Sequence, residues 1–330
     1  MPQTATRTGG TVVLTGATGF IGSAALRALL SDGTGPRVRA LVRRVPEPRH
    51  PGAPGEAGAV EWVRGDVTDP ETVRGLCEGA SALLHLASYI GPDEDRCAAV
   101  NVTGARTVLT EAVRAGVPRV VHLSTAAVYG AGPHRGVAVG EVPAAPVSAV
   151  SRTRLEGERF AREAGAVVLR PGLVLGPGDR WVVPVMRELR TRVPAVWAGG
   201  RALLSVAAVD DVGRLLTALA RGPRPVPAGT YHVSHPVPVR CGDLLSGLAE
   251  RGVLPPVPDV DWPWERCVER LRATPGRASE RQLAMLVRDH WYRSDDIWRL
   301  ADCPPGPGFP ERLAEAADWY GAGPTEPGGA

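Results

Sequence analysis

Residues 11–22 read T-V-V-L-T-G-A-T-G-F-I-G, and the fold follows from them. A short β-branched run ends in Gly16, Gly19 and Gly22, and a helical apolar pattern begins at once. A strand, a glycine turn and a helix N-terminus in that order let the backbone approach a pyrophosphate, with the unpaired helix amides facing its charge. The G-x-x-G-x-x-G spacing is one residue wider than the commoner dinucleotide fingerprint. A glycine turn alone carries little weight; this placement makes it specific. Thr18, Phe20 and Ile21 belong to the same turn and are assigned to the cofactor with the three glycines.

Working outward, apolar runs at 11–15, 38–43, 60–64, 82–87, 119–124 and 166–170 alternate with helical patterns at 20–31, 70–78, 95–115 and 149–164. Strands rich in Val and Leu on both faces, separated by helices, predict an α/β protein: a doubly wound, parallel-sheet Rossmann fold. Pro/Gly-rich stretches at 45–58 and 131–146 read as loops. After residue 171 the pattern becomes irregular. The runs at 203–209 and 230–234 still resemble main-sheet strands. The expected organisation is a nucleotide-binding domain over 1–176, with 201–235 returning to it. A smaller, mostly C-terminal substrate-binding part takes 177–200 and 236–320, and 321–330 is a disordered tail.

Composition narrows the function classes. Hydrophobic residues make up 44% and charged residues 22%, the balance of a globular domain. Every one of the 38 basic residues is arginine, which together with the Ala, Gly, Pro and Val usage points to a GC-rich coding bias. The net charge of +3 is spread along the chain, so no nucleic acid is expected as partner. No apolar run approaches the roughly 20 residues of a membrane span, and the first residues lack a signal-peptide pattern, so a cytoplasmic location is expected. Five cysteines without a C-x-x-C pair read as reduced, buried thiols, and no metal is assigned.

The residues after the second strand select the cofactor. An acidic residue there would hold a ribose hydroxyl; this chain has Arg43 and Arg44. A guanidinium pairs bidentately with phosphate, so NADPH/NADP is expected, with Arg43 the leading contact. Asp66, beside Val67, is placed to accept from the adenine amino group, whereas Asp69 fits a helix cap. Leu86, Ala87 and Ser88 end the fourth strand, where they would pass beneath the ribose.

Taken together, T-G-A-T-G-F-I-G (15–22), D-V-T-D (66–69), H-L-A-S (85–88), N-V-T-G (101–104), L-S-T-A-A-V-Y-G (123–130) and L-R-P-G-L-V-L-G-P-G (169–178) resemble the extended short-chain dehydrogenase/reductase family, in its epimerase/dehydratase branch. The resemblance covers about the first 180 residues. It implies that Ser124, Pro171 and Gly172 flank the nicotinamide and that Thr125 is the catalytic hydroxyl. The family's general acid, a tyrosine, falls on Val150, and its lysine falls on Arg154. Arginine can still orient the cofactor, but it holds its proton; Val150 offers nothing polar. A general acid is typically worth ~10²–10⁴-fold, so its loss slows a ketone reduction without forbidding hydride transfer.

Other donors in this sequence are Tyr89 and Ser88 after the fourth strand, Tyr129 in V-Y-G, and His134 in the loop that follows. His85 and His122 read as core histidines, and His232 and His235 lack a metal context. Tyr89, Thr125, Val150 and Trp181 are the expected substrate contacts. Trp197, Trp262, Trp264, Trp291, Trp298 and Trp319 supply further flat surfaces in the second half.

The pattern further resembles the tyrosine-less angucyclinone ketoreductases. This implies reduction of a ring ketone of an aromatic polyketide whose own phenol stabilises the alkoxide. The alternative is a non-catalytic NADP-binding sensor or scaffold. An epimerase or dehydratase is disfavoured, because those reactions use the missing tyrosine as base. By family analogy, a homodimer would pair through the helices near 95–115 and 149–164.

Overall fold

The structure, a computed structural model, describes residues 10–31, 35–46, 59–309 and 311–321. Within it, seven parallel strands form the central sheet. In chain order these are Thr11–Thr15, Arg37–Val42, Val60–Arg64, Ala80–His85, Val120–Leu123, Val167–Pro171 and Gly229–Val233. Their spatial order is seventh, sixth, fifth, fourth, first, second, third, so the direction of winding reverses beside the first strand. A crevice opens at such a reversal, outside the carboxyl ends of the strands, and it is where open α/β sheets bind ligands.

Alternate side chains feed two cores, as the strand period of two requires. Val12, Leu14, Leu84, Val121 and Leu169 meet the helices Phe20–Leu30 and Val209–Arg221 on one face. Val13, Leu83, Val120 and Val168 meet the helices Ala105–Arg114 and Ala149–Glu163 on the other. Burial on both faces explains the unbroken Val/Leu runs and bears out the doubly wound reading.

The first, third and later strand positions hold within about two residues of the sequence reading. The helix expected at 70–78 is only Pro70–Val73. Arg74 leaves helical geometry, and Gly75 and Gly79 adopt φ of +75° and +66°. The run 203–209 is also corrected, since it does not join the central sheet. Leu203–Leu204 enters a separate four-stranded sheet with Val239–Arg240, His290–Tyr292 and His134–Val137, while Val206–Ala208 pairs with Leu173–Leu175. That four-stranded sheet also corrects the loop reading of 131–146 at 134–137, while the remainder is turn and irregular chain as expected. His134 is buried in a strand beside His290, not placed on a loose loop, because pairing with a segment some 150 residues away supplies what local sequence lacks.

A further apolar core joins 173–206 with 239–320 through Met186, Leu189, Trp197, Leu245, Leu271 and Tyr320. Ile297, Trp298 and Ala301 leave that part and pack with the central sheet. The expectation of a disordered tail falls, after Gly321, outside the described residues, as does most of the 45–58 loop.

Candidate active site

A cleft of about 970 Å³ runs along the carboxyl ends of the first, second and fourth strands. Its floor is the glycine turn. Gly16 has φ of +76°, a left-handed conformation that glycine adopts without strain, and its carbonyl accepts the Gly19 amide at 2.9 Å. A Cβ on Gly22 would stand 1.9 Å from that same carbonyl oxygen, and one on Gly16 would stand 2.7 Å from the Ala87 nitrogen. Helix and fourth strand therefore close on the turn only because side chains are missing. The resulting cradle of bare backbone at the head of an 11-residue helix fits a dinucleotide pyrophosphate.

Gly19, Thr18, Phe20 and Ile21 line this cradle, and Arg43, Asp66 and Val67 line the far end. Arg44 is exposed outside it. Asp66 Oδ1 accepts from both the amide and the hydroxyl of Thr68 at 2.9 Å, which fixes its carboxylate at the wall. Asp69 is the cap of the short helix at 70, accepting from the Glu71 amide. Leu86, Ala87 and Ser88 line the middle, held by the Ala87 amide's bond to Thr15 Oγ1.

Arg154 reaches the cleft from the second turn of the helix Ala149–Glu163. Its Nη2 donates to the carbonyls of Leu123 and Ser124 at 2.8 and 2.6 Å, tying that helix to the end of the fifth strand. Burial lowers its guanidinium to about 10, against the opposing pull of Glu158. It therefore stays charged at neutral pH. Its Nε has no hydrogen-bond partner among the described residues.

Several expected contacts stand back from the cleft wall. Ser124 is buried, with its hydroxyl donating to Glu158 at 2.5 Å. Thr125 Oγ1 caps the turn Ala126–Tyr129 by accepting the Ala127 amide. Val150 is half-buried in the first helical turn. Pro171 and Gly172 pack beside the seventh strand, the Gly172 amide bonding to the Val233 carbonyl.

Among the described residues, Tyr89 is the one phenol that lines the cleft, and no imidazole does. The Tyr129 hydroxyl is turned inward, 2.8 Å from His232 Nε2, and receives Arg170 Nη1 at 2.7 Å. His85 and His122 stack on each other in the core, and burial pushes His85 down to about 4. No histidine lines the cleft among the described residues. Tyr89 does line it, but its hydroxyl lies against Gly91, where an added Cβ would be 2.4 Å away.

Sequence reasoning missed two residues that hold Tyr89 there. Asn101 accepts the Tyr89 amide at 2.8 Å and donates to the Tyr89 carbonyl at 3.1 Å and to Thr153 Oγ1 at 3.0 Å. It sits in a π-widened turn, Ala99–Gly104, inside the helix that runs on to Arg114, a distortion often found at functional sites. Arg96 places its guanidinium 4.6 Å over the Tyr89 ring. The N-V-T-G motif held the first signal; nothing local marked the second.

Of the tryptophans, Trp181 and Trp319 line the cleft, whereas Trp197 and Trp298 are core residues. Asp179, buried, accepts the amides of Trp181, Val182 and Val183 and the hydroxyl of Tyr320, so one carboxylate fixes both indole-bearing segments. Among the described residues no His/Cys/Asp/Glu group has a metal-binding arrangement, and no helix is long and apolar enough to cross a membrane.

Fold and cleft together define a dinucleotide-binding protein of the Rossmann type. The sequence matches the profile of the NAD dependent epimerase/dehydratase family over residues 12–234, and the chain belongs to that family. It is 33% identical to sterol demethylase protein B of Methylococcus capsulatus over 51% of this chain and 53% of that protein. The chain thus spans about half the length of that relative. It is 28% identical to the 4-hydroxy-2-methyl-3-oxo-4-farnesyl-3,4-dihydroquinoline-1-oxide ketoreductase of Stigmatella aurantiaca over 80% of each. Among solved structures, MoeE5 in complex with UDP-glucuronic acid and NAD superposes with a TM-score of 0.72 at 25% identity, covering 95% of this chain and 99% of that one.

Proposed function

We propose that the chain is an NADPH-dependent ketoreductase that reduces a ring ketone of a polycyclic aromatic polyketide of the angucyclinone type, with the substrate's own phenol assisting. The single observation that carries this reading is the cleft wall. It holds the glycine cradle and Arg154; among the described residues no histidine lines it, Tyr129 is bonded to His232 and Arg170, and Tyr89 is its one phenol, while Val150, read as standing at the acid's position, lies outside it. NADPH, when bound, supplies the hydride. Arg154 fixes the nicotinamide end through the Leu123 and Ser124 carbonyls and adds positive charge near a developing alkoxide. Arg43 meets the 2′-phosphate. Trp181 and Trp319 give flat apolar walls to a fused-ring ligand. A phenol beside the carbonyl donates the hydrogen bond that a tyrosine would otherwise give.

The Stigmatella ketoreductase supports the reaction class. The sequence resemblance to the tyrosine-less angucyclinone ketoreductase of simocyclinone biosynthesis supports the substrate class. A homodimer through the helices Ala105–Arg114 and Ala149–Glu163, in the cytoplasm, completes the reading; sedimentation tests the dimer.

The assay mixes protein, NADPH and a hydroxy-aryl polycyclic ketone and follows the reduced nicotinamide absorbance. Consumption with NADPH in preference to NADH is expected. Tight NADPH binding without consumption across a ketone panel would overturn the reading in favour of a sensor or scaffold.

A further inference from the structure

The cleft is charged out of proportion to the chain. Overall, 38 basic residues face 35 acidic ones. The cleft wall instead carries Arg27, Arg43, Arg96, Arg154 and Arg180 against one acid, Asp66. Arg27 is neutralised by Asp210 at 2.9 Å. Arg154 is buried, charged and committed by the reductase reading to the nicotinamide end, and that reading puts Arg43 at the adenosine end. Two cations remain, Arg96 and Arg180. Both are exposed, and neither has a carboxylate within ion-pair distance among the described residues.

Ile90, Trp181 and Trp319 line the same cleft and add apolar surface to it. Trp181 is 48% exposed and Ile90 37%. Open aromatic surface next to unpaired guanidinium groups is matched by a ligand that has both a flat apolar body and a negative charge.

We propose that this end of the cleft selects an aromatic anion, with Arg96 and Arg180 taking the charge and Trp181 and Trp319 covering the ring. The inference deepens the reductase reading and rests on its division of the cleft into cofactor and substrate ends. It does not depend on hydride transfer.

The test titrates the NADPH-saturated protein with naphthalene-2-carboxylate and with its neutral analogue 2-naphthamide, by calorimetry at low and high salt. The carboxylate is expected to bind on the order of tenfold tighter, with the advantage shrinking as salt rises. The double substitution Arg96→Gln/Arg180→Gln should erase the advantage, while Trp319→Ala should weaken both ligands together. Equal affinity of the unmodified protein for the two ligands overturns the proposal. So does a double variant whose loss falls on NADPH, which would assign these arginines to the cofactor's phosphates. Carboxylate binding without turnover of any ketone leaves this inference standing and ends the reductase reading; turnover without charge preference does the reverse.

Discussion

The end of the cleft proposed for the cofactor is built around one short turn, Gly16 to Gly22, whose backbone forms its floor. The end proposed for the substrate is lined by Tyr89, Arg96, Trp181 and Trp319, which come from more than 200 residues of chain and are positioned through Asn101, Asp179 and Tyr320. The first end admits no side chain at Gly16 or Gly22. The second consists of side chains held by buried polar anchors. Substitutions at the two ends should therefore fail in different ways, one through sterics and the other through loss of recognition.

The largest effect expected is Gly22→Ala. Its Cβ would overlap the Gly16 carbonyl, so turn or helix must move by more than 1 Å, and cofactor affinity should fall on the order of 100-fold or more. Unchanged affinity by fluorescence titration would break the claim that close backbone approach makes the site.

Next comes the buried network beneath the nicotinamide end. Glu158 is fully buried, with both oxygens on Arg170 at 2.9 and 2.6 Å, and it also receives Ser124 and Arg162. Glu158→Gln leaves Arg170 with a neutral partner in a dry setting, an expected loss of about 3–5 kcal/mol measured by denaturant unfolding. A loss under about 1 kcal/mol would show that the network is not what holds the fifth strand to the helix.

The histidines give a pH signature. Burial holds His85 and His232 near 4 and lowers His122, His134 and His290 as well. Their unfolded values near 6.5 lie above the folded ones, so between about 6.5 and 4 the unfolded chain binds more protons. Stability is then full above 6.5 and falls as pH drops through that window, by up to about 1.4 kcal/mol per pH unit for each histidine. A flat melting temperature between pH 7 and 5 would contradict these assignments.

Arg43→Ala sharpens the comparison most finely. NADPH should weaken roughly 10–100-fold and NADH little, since only the former carries the 2′-phosphate. Equal losses would remove Arg43 from that role.

The sequence was legible where function rests on contiguous backbone. The strand–turn–helix at 11–30 and the apolar strands at 80–85 and 120–123 need no distant partner to be recognised. It was not legible where pairing is long-range. His134–Val137 has no alternating pattern and becomes a strand only against His290–Tyr292, while 203–208 has an apolar run suited equally to the core it joined and the one it did not. Asn101 lay inside a quoted motif, yet its bonds to Tyr89 follow from a π-widened turn that spacing does not announce.

The most direct measurement compares two polycyclic aryl ketones that differ only in a hydroxyl next to the carbonyl, with NADPH and the unmodified protein, and again with Val150→Tyr. The account predicts that the hydroxylated ketone is reduced ~10²–10⁴-fold faster by the unmodified protein and gains little from the restored phenol. Equal rates for the two ketones, or a large gain by Val150→Tyr on the hydroxylated one, would contradict it.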